Sequence, residues 1–340
     1  MRYPFEPDFP QKGEDDPFLV QIAHTPVKPI FIMGLHRSGT TFLYDAISRC
    51  FPVANLTLYD IFYYHRLLKN RQTGHEEKDK QHLNRVFRSL GITDRRLDSV
   101  WVDDATVEEY CWLLRNESYH VSLHASNQDY FAEICRKLLY LNPHAQSVLL
   151  KNPWDTGKAK QILEWFPDAR FIYITRNPIH ILNSQLNAFL TLITGAQPFQ
   201  TMLIDKFKVP GDIRFGMTLL YGVWKIIRGL KAVLGDKVVA FFVRPFTVLS
   251  LQWQLKSYYD DLKSLPPQSV YRLTYDSFNT DPVTKLKEIQ TFLDLPFTMA
   301  PENIHPKPRK GHLSEALKKF EPKLMKKLEK ILGHSADVEH

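Results

Sequence analysis

The sequence has no apolar run approaching the roughly 20 uninterrupted residues of a membrane-spanning helix, which argues against a transmembrane anchor. Its N-terminus lacks the apolar core of a signal peptide: Met1–Lys28 carries scattered acids and prolines instead. Cysteine is scarce. Cys50, Cys111 and Cys135 are too few and too unevenly spaced for a disulfide framework or a zinc site. They read as buried thiols of a reducing compartment, so the expected location is cytoplasmic. Charge imbalance is also small: 44 lysines and arginines against 37 acids leave a net charge of +7. That excess favours an anionic ligand and is too diffuse for nucleic acid. The one dense cationic stretch, Lys307–Lys330, puts Lys318, Lys319, Lys323, Lys326, Lys327 and Lys330 on an expected helix. It reads as a solvated helix face.

The chain does hold ample core material, with 44% hydrophobic and 13% aromatic residues over 340 positions. Strands are expected at Pro29–Met33, Ser147–Leu150, Arg170–Thr175, Val238–Val243 and Val270–Thr274. Most lack polar alternation, as in strands covered on both faces. Helical periods fall between them, at Thr40–Arg49, Thr106–Arg115, Asn127–Tyr140, Gly157–Phe166, Pro178–Leu190, Arg214–Leu234 and Pro282–Leu293. Strand and helix in alternation predict an α/β three-layer sandwich, a mostly parallel central sheet with helices on both faces. No repeat or low-complexity linker divides the chain. It reads as an N-terminal extension over residues 1–27 and a single domain over 28–340. Two segments break the alternation. Residues 51–104 are helical and polar without a convincing strand, and read as an insertion at the sheet's carboxyl edge, where open α/β folds bind ligands. Residues 194–212 hold Gly195, Pro198, Pro210 and Gly211, which suits a lid.

The strongest local signal is the run from Ile30 through Leu43. An apolar strand ends at Gly34, and a helix begins near Thr40, giving the spacing G-x-x-x-x-G-T-T. Glycines at Gly34 and Gly39 let the backbone wrap an anion closely, and the loop amides face it together with the helix N-terminus. This is a P-loop with a departure. A nucleoside triphosphatase places lysine where Thr40 stands, followed by a hydroxyl that holds magnesium. Here the cation comes earlier, as Arg37, whose guanidinium can grip a phosphate or sulfate bidentately without a metal.

A second segment repeats the grammar. The apolar strand Arg170–Thr175 leads to Arg176, then to Asn177 and Pro178, a natural helix cap and first helical residue. Ser184 lies six residues beyond Pro178, about 9 Å along the helix axis. An extended Arg176 side chain spans a similar distance, so the two can meet on one phosphate.

These segments resemble the donor-binding motifs of sulfotransferases that use 3'-phosphoadenosine 5'-phosphosulfate (PAPS). The wording Arg37–Thr41, together with Leu149–Pro153 and Phe166–Arg170, is most similar to the bacterial-type family, and tyrosylprotein sulfotransferases share it. The resemblance extends from about residue 28 to residue 297. It implies that Gly34, His36, Arg37, Ser38, Gly39, Thr40 and Thr41 hold the 5'-phosphosulfate. Arg176 and Ser184 would hold the 3'-phosphate, with Tyr275 near the nucleotide. Arg309, Lys310 and Gly311 resemble a C-terminal Arg-Lys-Gly that clasps the same phosphate in cytosolic sulfotransferases.

The resemblance also implies the chemistry: in-line sulfuryl transfer to an acceptor hydroxyl, releasing 3',5'-bisphosphoadenosine. Lys151, in a Lys-Asn-Pro setting similar to the Lys-Asp-Pro of tyrosylprotein sulfotransferases, would contact the sulfate with Arg37. Candidates for the base are Glu109 or Glu108, then Asp60, then His36. No metal is expected. The acceptor stays open among small molecules, glycans, lipids and peptide tyrosine, with aromatic stretches at Tyr59–Tyr64 and Phe189–Phe199 suggesting an apolar pocket. Oligomeric state is not legible. The competing readings are a P-loop nucleotide kinase, disfavoured by Thr40 and by the lack of a strand ending in a magnesium-binding aspartate, and a nucleotide-binding protein without activity.

Overall fold

A computed structural model describes residues 4–95, 101–194, 198–206, 211–305, 313 and 315–332. Its five described strands are β1 (Pro29–Met33), β2 (Val53–Asn55), β3 (Ser147–Lys151), β4 (Arg170–Thr175) and β5 (Val270–Thr274), and they form one sheet in the order β2-β3-β1-β4-β5. β2 pairs in parallel with β3, Val53 opposite Ser147, and β4 in parallel with β5, Phe171 opposite Val270. Every residue of β1 and β3 is buried, as their unbroken apolar character predicts.

The helices are α1 (Thr40–Cys50), α2 (Leu58–Phe62), α3 (Leu67–Thr73), α4 (Glu76–Ser89) and α5 (Cys111–Ser118). There follow α6 (Gln128–Leu141), α7 (Ala159–Trp165), α8 (Pro178–Thr194), α9 (Pro198–Lys206) and α10 (Gly211–Ser264). The chain then forms α11 (Tyr275–Thr280), α12 (Pro282–Leu293), α13 (Glu315–Lys318) and α14 (Glu321–Leu332). The expected α/β architecture is present.

Three sequence expectations are corrected. Val238–Val243 is not a strand; it lies inside α10, which continues to Ser264 past a non-helical Gly235. A short β-branched and aromatic run cannot be told from a buried helix by periodicity. Further along the same helix the buried residues Val248, Leu251, Leu255 and Tyr258 recur at intervals of three, four and three. Residues 51–104 do contain a strand, β2, too short at three residues to show alternation. Finally, α5 begins at Cys111 because residues 106–108 pair sideways: Leu58 N–H donates to the Thr106 carbonyl and Glu108 N–H to that of Leu56, both at 2.9 Å. The expected lid is helical over Pro198–Lys206.

The chain divides into two compact units. One comprises Met1–Phe31, Pro52–Trp154 and Gly195–Thr218. Its core includes the rings of Phe31, Tyr110 and Phe131, the first stacked on the last with centroids 5.6 Å apart. The N-terminal stretch is tied into this unit: Phe9 stacks on Phe62, and Asp15 pairs with the fully buried Lys137 at 2.9 Å. Lys137 also donates to the Tyr64 carbonyl and sits 4.1 Å from the Tyr64 ring. Burying a lysine this deeply is costly without such a set of partners.

The other unit comprises Ile32–Phe51, Asp155–Thr194 and Leu219–His340. Its organising group is Asp261 of α10. The buried carboxylate accepts from the amides of Gly157 and Ala159 at 3.0 Å and of Lys160 at 3.4 Å, so it caps α7 from about a hundred residues away. The Tyr173 hydroxyl donates to the same carboxylate.

Candidate functional site

Two clusters gather the residues singled out in the sequence, one in each unit. The first is built around the turn between β1 and α1. Arg37 adopts φ 76° and Gly39 φ 105°, left-handed positions on either side of Ser38, in a turn of the kind that can gather backbone amides on one side of an anion. A non-glycine residue in this region is strained and marks a functional loop. Gly34 has no room for a side chain: a Cβ there would lie 2.7 Å from the Ile174 carbonyl oxygen and 2.8 Å from Ser38 Oγ. Thr156 brackets the same glycine, its hydroxyl accepting from Gly34 N–H at 3.3 Å and donating to Gly34 C=O at 3.1 Å.

The second predicted anion segment meets this loop. Arg37 Nε donates to Ser184 Oγ at 2.7 Å. Arg176 lies with its guanidinium 4.5 Å from the centre of the Tyr275 ring, and that ring packs on the loop so tightly that a Cβ at Gly39 would come within 2.3 Å of it. Asn177 caps α8 as the sequence predicts, its Oδ1 accepting from Ile179 N–H at 3.0 Å. Gln185 Nε2 donates to the His36 carbonyl at 3.3 Å. Arg37, Ser38, Gly39, Arg176, Ser184 and Tyr275 thus converge. Among the described residues, Ser38 Oγ and Arg176 Nε are buried without a hydrogen-bond partner. Polar atoms left in this state are costly unless a ligand satisfies them, and the hydrogen-bond donors assembled here suit an anionic one. Arg309, Lys310 and Gly311 lie outside the described residues.

The other cluster follows β3. Lys151 Nζ pairs with Glu109 Oε1 at 3.1 Å, both side chains being largely buried. Glu108 turns away: its Oε1 accepts the Glu109 amide at 2.9 Å, and its Oε2 faces Arg95 Nη2 at 3.2 Å. Burial pushes its carboxyl above the ordinary range, while the Arg95 guanidinium acts against that rise. Asp60 closes a capping box at the start of α2, its Oδ2 accepting from both the amide and the hydroxyl of Thr57 at 2.7 Å. Burial raises its carboxyl to about 6 against the opposing Thr57 bonds. Of the three acids, Glu109 therefore faces a predicted catalytic cation, whereas Glu108 and Asp60 are held by structural bonds. Among the described residues no group of three or more His, Cys, Asp or Glu side chains is placed to hold a metal ion.

Sequence reasoning missed Thr156, Gln185 and Arg95. Thr156 and Gln185 meet partners 122 and 149 residues away, and Arg95 meets Glu108 across a loop; no local motif announces them.

A parallel sheet whose first strand feeds a glycine-bounded anion loop defines a P-loop-containing α/β fold of the sulfotransferase type. The chain belongs to the sulfotransferase family, whose profile matches residues 29–208, just over half its length. Comparison with curated proteins finds no match. Among solved structures, the sulfotransferase STF9 from Mycobacterium avium aligns at TM-score 0.63 and 15% identity, covering 96% of this chain and 79% of that one. Sulfotransferase STF1 from Mycobacterium tuberculosis H37Rv aligns at TM-score 0.55 and 14% identity, covering 94% and 80%. At such identities the likeness is one of fold.

Proposed function

We propose that this protein transfers a sulfuryl group from PAPS to an acceptor hydroxyl, without a metal. The observation that carries the reading is the bond between Arg37 and Ser184, which joins the two predicted anion segments into one cradle. Bound there, the donor supplies an activated sulfuryl group on a phosphate leaving group. Gly34 through Thr41 offer backbone amides, the Ser38, Thr40 and Thr41 hydroxyls and the Arg37 guanidinium to the 5' end. Arg176 and Ser184 take the 3'-phosphate, and Tyr275 backs the Arg176 guanidinium.

Transfer forms a bond from the acceptor oxygen to sulfur and breaks the bond from sulfur to the leaving phosphate oxygen. Negative charge grows on that oxygen, so positioned cations lower the barrier. Arg37 and Lys151 are assigned this work. The acceptor proton needs a base, and Glu109 is the favoured group: its carboxylate faces Lys151, while Glu108 pairs with Arg95 and Asp60 closes a helix cap. The acceptor class is a small-molecule, glycan or lipid hydroxyl.

The test is thermal stability with ligand. Bisphosphoadenosine should raise the melting temperature in the absence of magnesium, as binding to the native state alone requires. Equal or greater stabilisation by Mg-ATP would move the protein to the kinase reading.

A further inference from the structure

The face that α10 turns to solvent is apolar where a helix of a soluble protein is ordinarily polar. Phe242, Phe246, Leu249 and Trp253 are 64%, 75%, 55% and 73% exposed. They recur at intervals of four, three and four residues, so they form one stripe along the helix. Val238 extends it, giving a length of about 22 Å at the helical rise. Phe241 stands exposed beside it. An apolar patch of this extent marks an interaction site.

The charges around the stripe say what kind. From Val238 through Tyr259 there is no carboxylate, and the cations are Arg244 and Lys256. The Arg244 guanidinium lies 5.7 Å from the Phe241 ring and 4.9 Å from the ring of Phe320. Phe320 immediately precedes α14, which buries Leu324 and Leu328 and exposes Lys323, Lys326 and Lys327. Lys318 and Lys319 are exposed next to it. One unit therefore carries an aromatic-rich stripe joined through Arg244 to a lysine-rich helix. Aromatic and aliphatic side chains on one side with lysines beside them are the chemistry of a helix lying in a lipid headgroup layer. A second copy of the chain is the poorer fit, since a two-fold contact across this stripe would bring Arg244 and Lys256 toward their own counterparts without a carboxylate on the stripe to meet them.

By length and composition Val238–Ser264 could also cross a membrane, a stretch that a count of uninterrupted apolar residues passes over because Arg244 divides it. Its other face argues against crossing, since Leu251, Leu255 and Tyr258 are packed in the protein core. We propose that the outer face of α10, with the lysines of α14, docks this protein on an anionic lipid bilayer surface.

The experiment is sedimentation of the full chain with vesicles of phosphatidylcholine alone or with added phosphatidylglycerol, at low and high salt. The protein should sediment with the anionic vesicles and be released by salt. Phe246→Asp with Trp253→Asp should weaken binding by more than about tenfold. Lys326→Glu with Lys327→Glu should weaken it comparably on anionic vesicles only. Stabilisation by bisphosphoadenosine should persist in both variants, which shows that each is folded and separates this result from the donor-binding reading. Should the apolar variant not fold, the lysine variant decides alone. Failure of the unaltered chain to sediment with anionic vesicles overturns the proposal. So does a dimer in light scattering that Phe246→Asp converts to monomer, which would assign the stripe to a second copy.

Discussion

Arg37 Nε and Ser184 Oγ are hydrogen-bonded at 2.7 Å across 147 positions of sequence. The bond joins the glycine-bounded loop after β1 to the eighth helix, and so links a group assigned to the 5' end of the donor with one assigned to its 3'-phosphate. Arg176, through Tyr275 packed on Gly39, is drawn to the same loop.

If Arg176 serves the 3'-phosphate, Arg176→Ala should weaken bisphosphoadenosine by about 10- to 100-fold, the usual loss for a charge-assisted contact. Binding of 5'-AMP should change little. Calorimetry with both ligands checks this, and matched losses would remove Arg176 from the 3' end.

Lys151→Ala should lower turnover by about 100- to 1,000-fold, the scale of losing one charge-stabilising donor. Glu109→Gln should do so by a similar factor through loss of the base. Both should leave bisphosphoadenosine affinity near its original value. Single-turnover measurements with labelled donor against a cell extract read the chemical step. Unchanged turnover in Lys151→Ala would reduce the Lys151–Glu109 pair to a structural contact.

Gly39→Ala should both destabilise the protein and abolish protection by bisphosphoadenosine. Two effects combine: a φ of 105° that alanine resists, and a Cβ driven to 2.3 Å from Tyr275. The backbone term alone costs about 1–3 kcal/mol. Adding Tyr275→Ala relieves the overlap but not the backbone strain, so the double variant should recover only part of the lost melting temperature.

Asp60 gives a pH signature. Burial raises its carboxyl to about 6 in the folded protein from 3.8, so the folded state holds its proton more tightly than the unfolded chain. The associated stability is present below pH 4 and lost as pH rises through 6, a change of about 3 kcal/mol. Asp60→Asn cannot ionise. Relative to the unaltered protein it should therefore gain stability between pH 4 and pH 7 in denaturant titrations, and a constant difference across that range would contradict the assignment.

The loop and helix proposed to hold the donor were legible because their signals are local. A strand, a pair of glycines, an arginine and a helix start within eight residues announce an anion loop, and Asn177-Pro178 announces the capped helix that carries Ser184. β1, β3 and β4 were readable from their largely apolar character, β5 from its β-branched and aromatic residues despite Arg272, and α12 from the helical period that starts at Pro282. Val238–Val243 was misread because apolar residues line both faces of α10, which erases the period that separates helix from strand. β2 is too short to carry any period.

The amino-acid order by itself determined the strand–loop–helix grammar, the cation at Arg37 in place of the usual P-loop lysine, and the residues proposed to grip two anionic groups. These depend on backbone propensity and side-chain chemistry a few residues apart. Tertiary structure alone decided that Glu109, rather than its equally acidic neighbour, faces Lys151, that Asp60 is spent on a helix cap, and that Asp261 closes the start of a distant helix. Which carboxylate faces Lys151 depends on how the strand ending at Lys151 meets the segment before the fifth helix, and the Asp261 contacts span about a hundred residues; no local pattern encodes either.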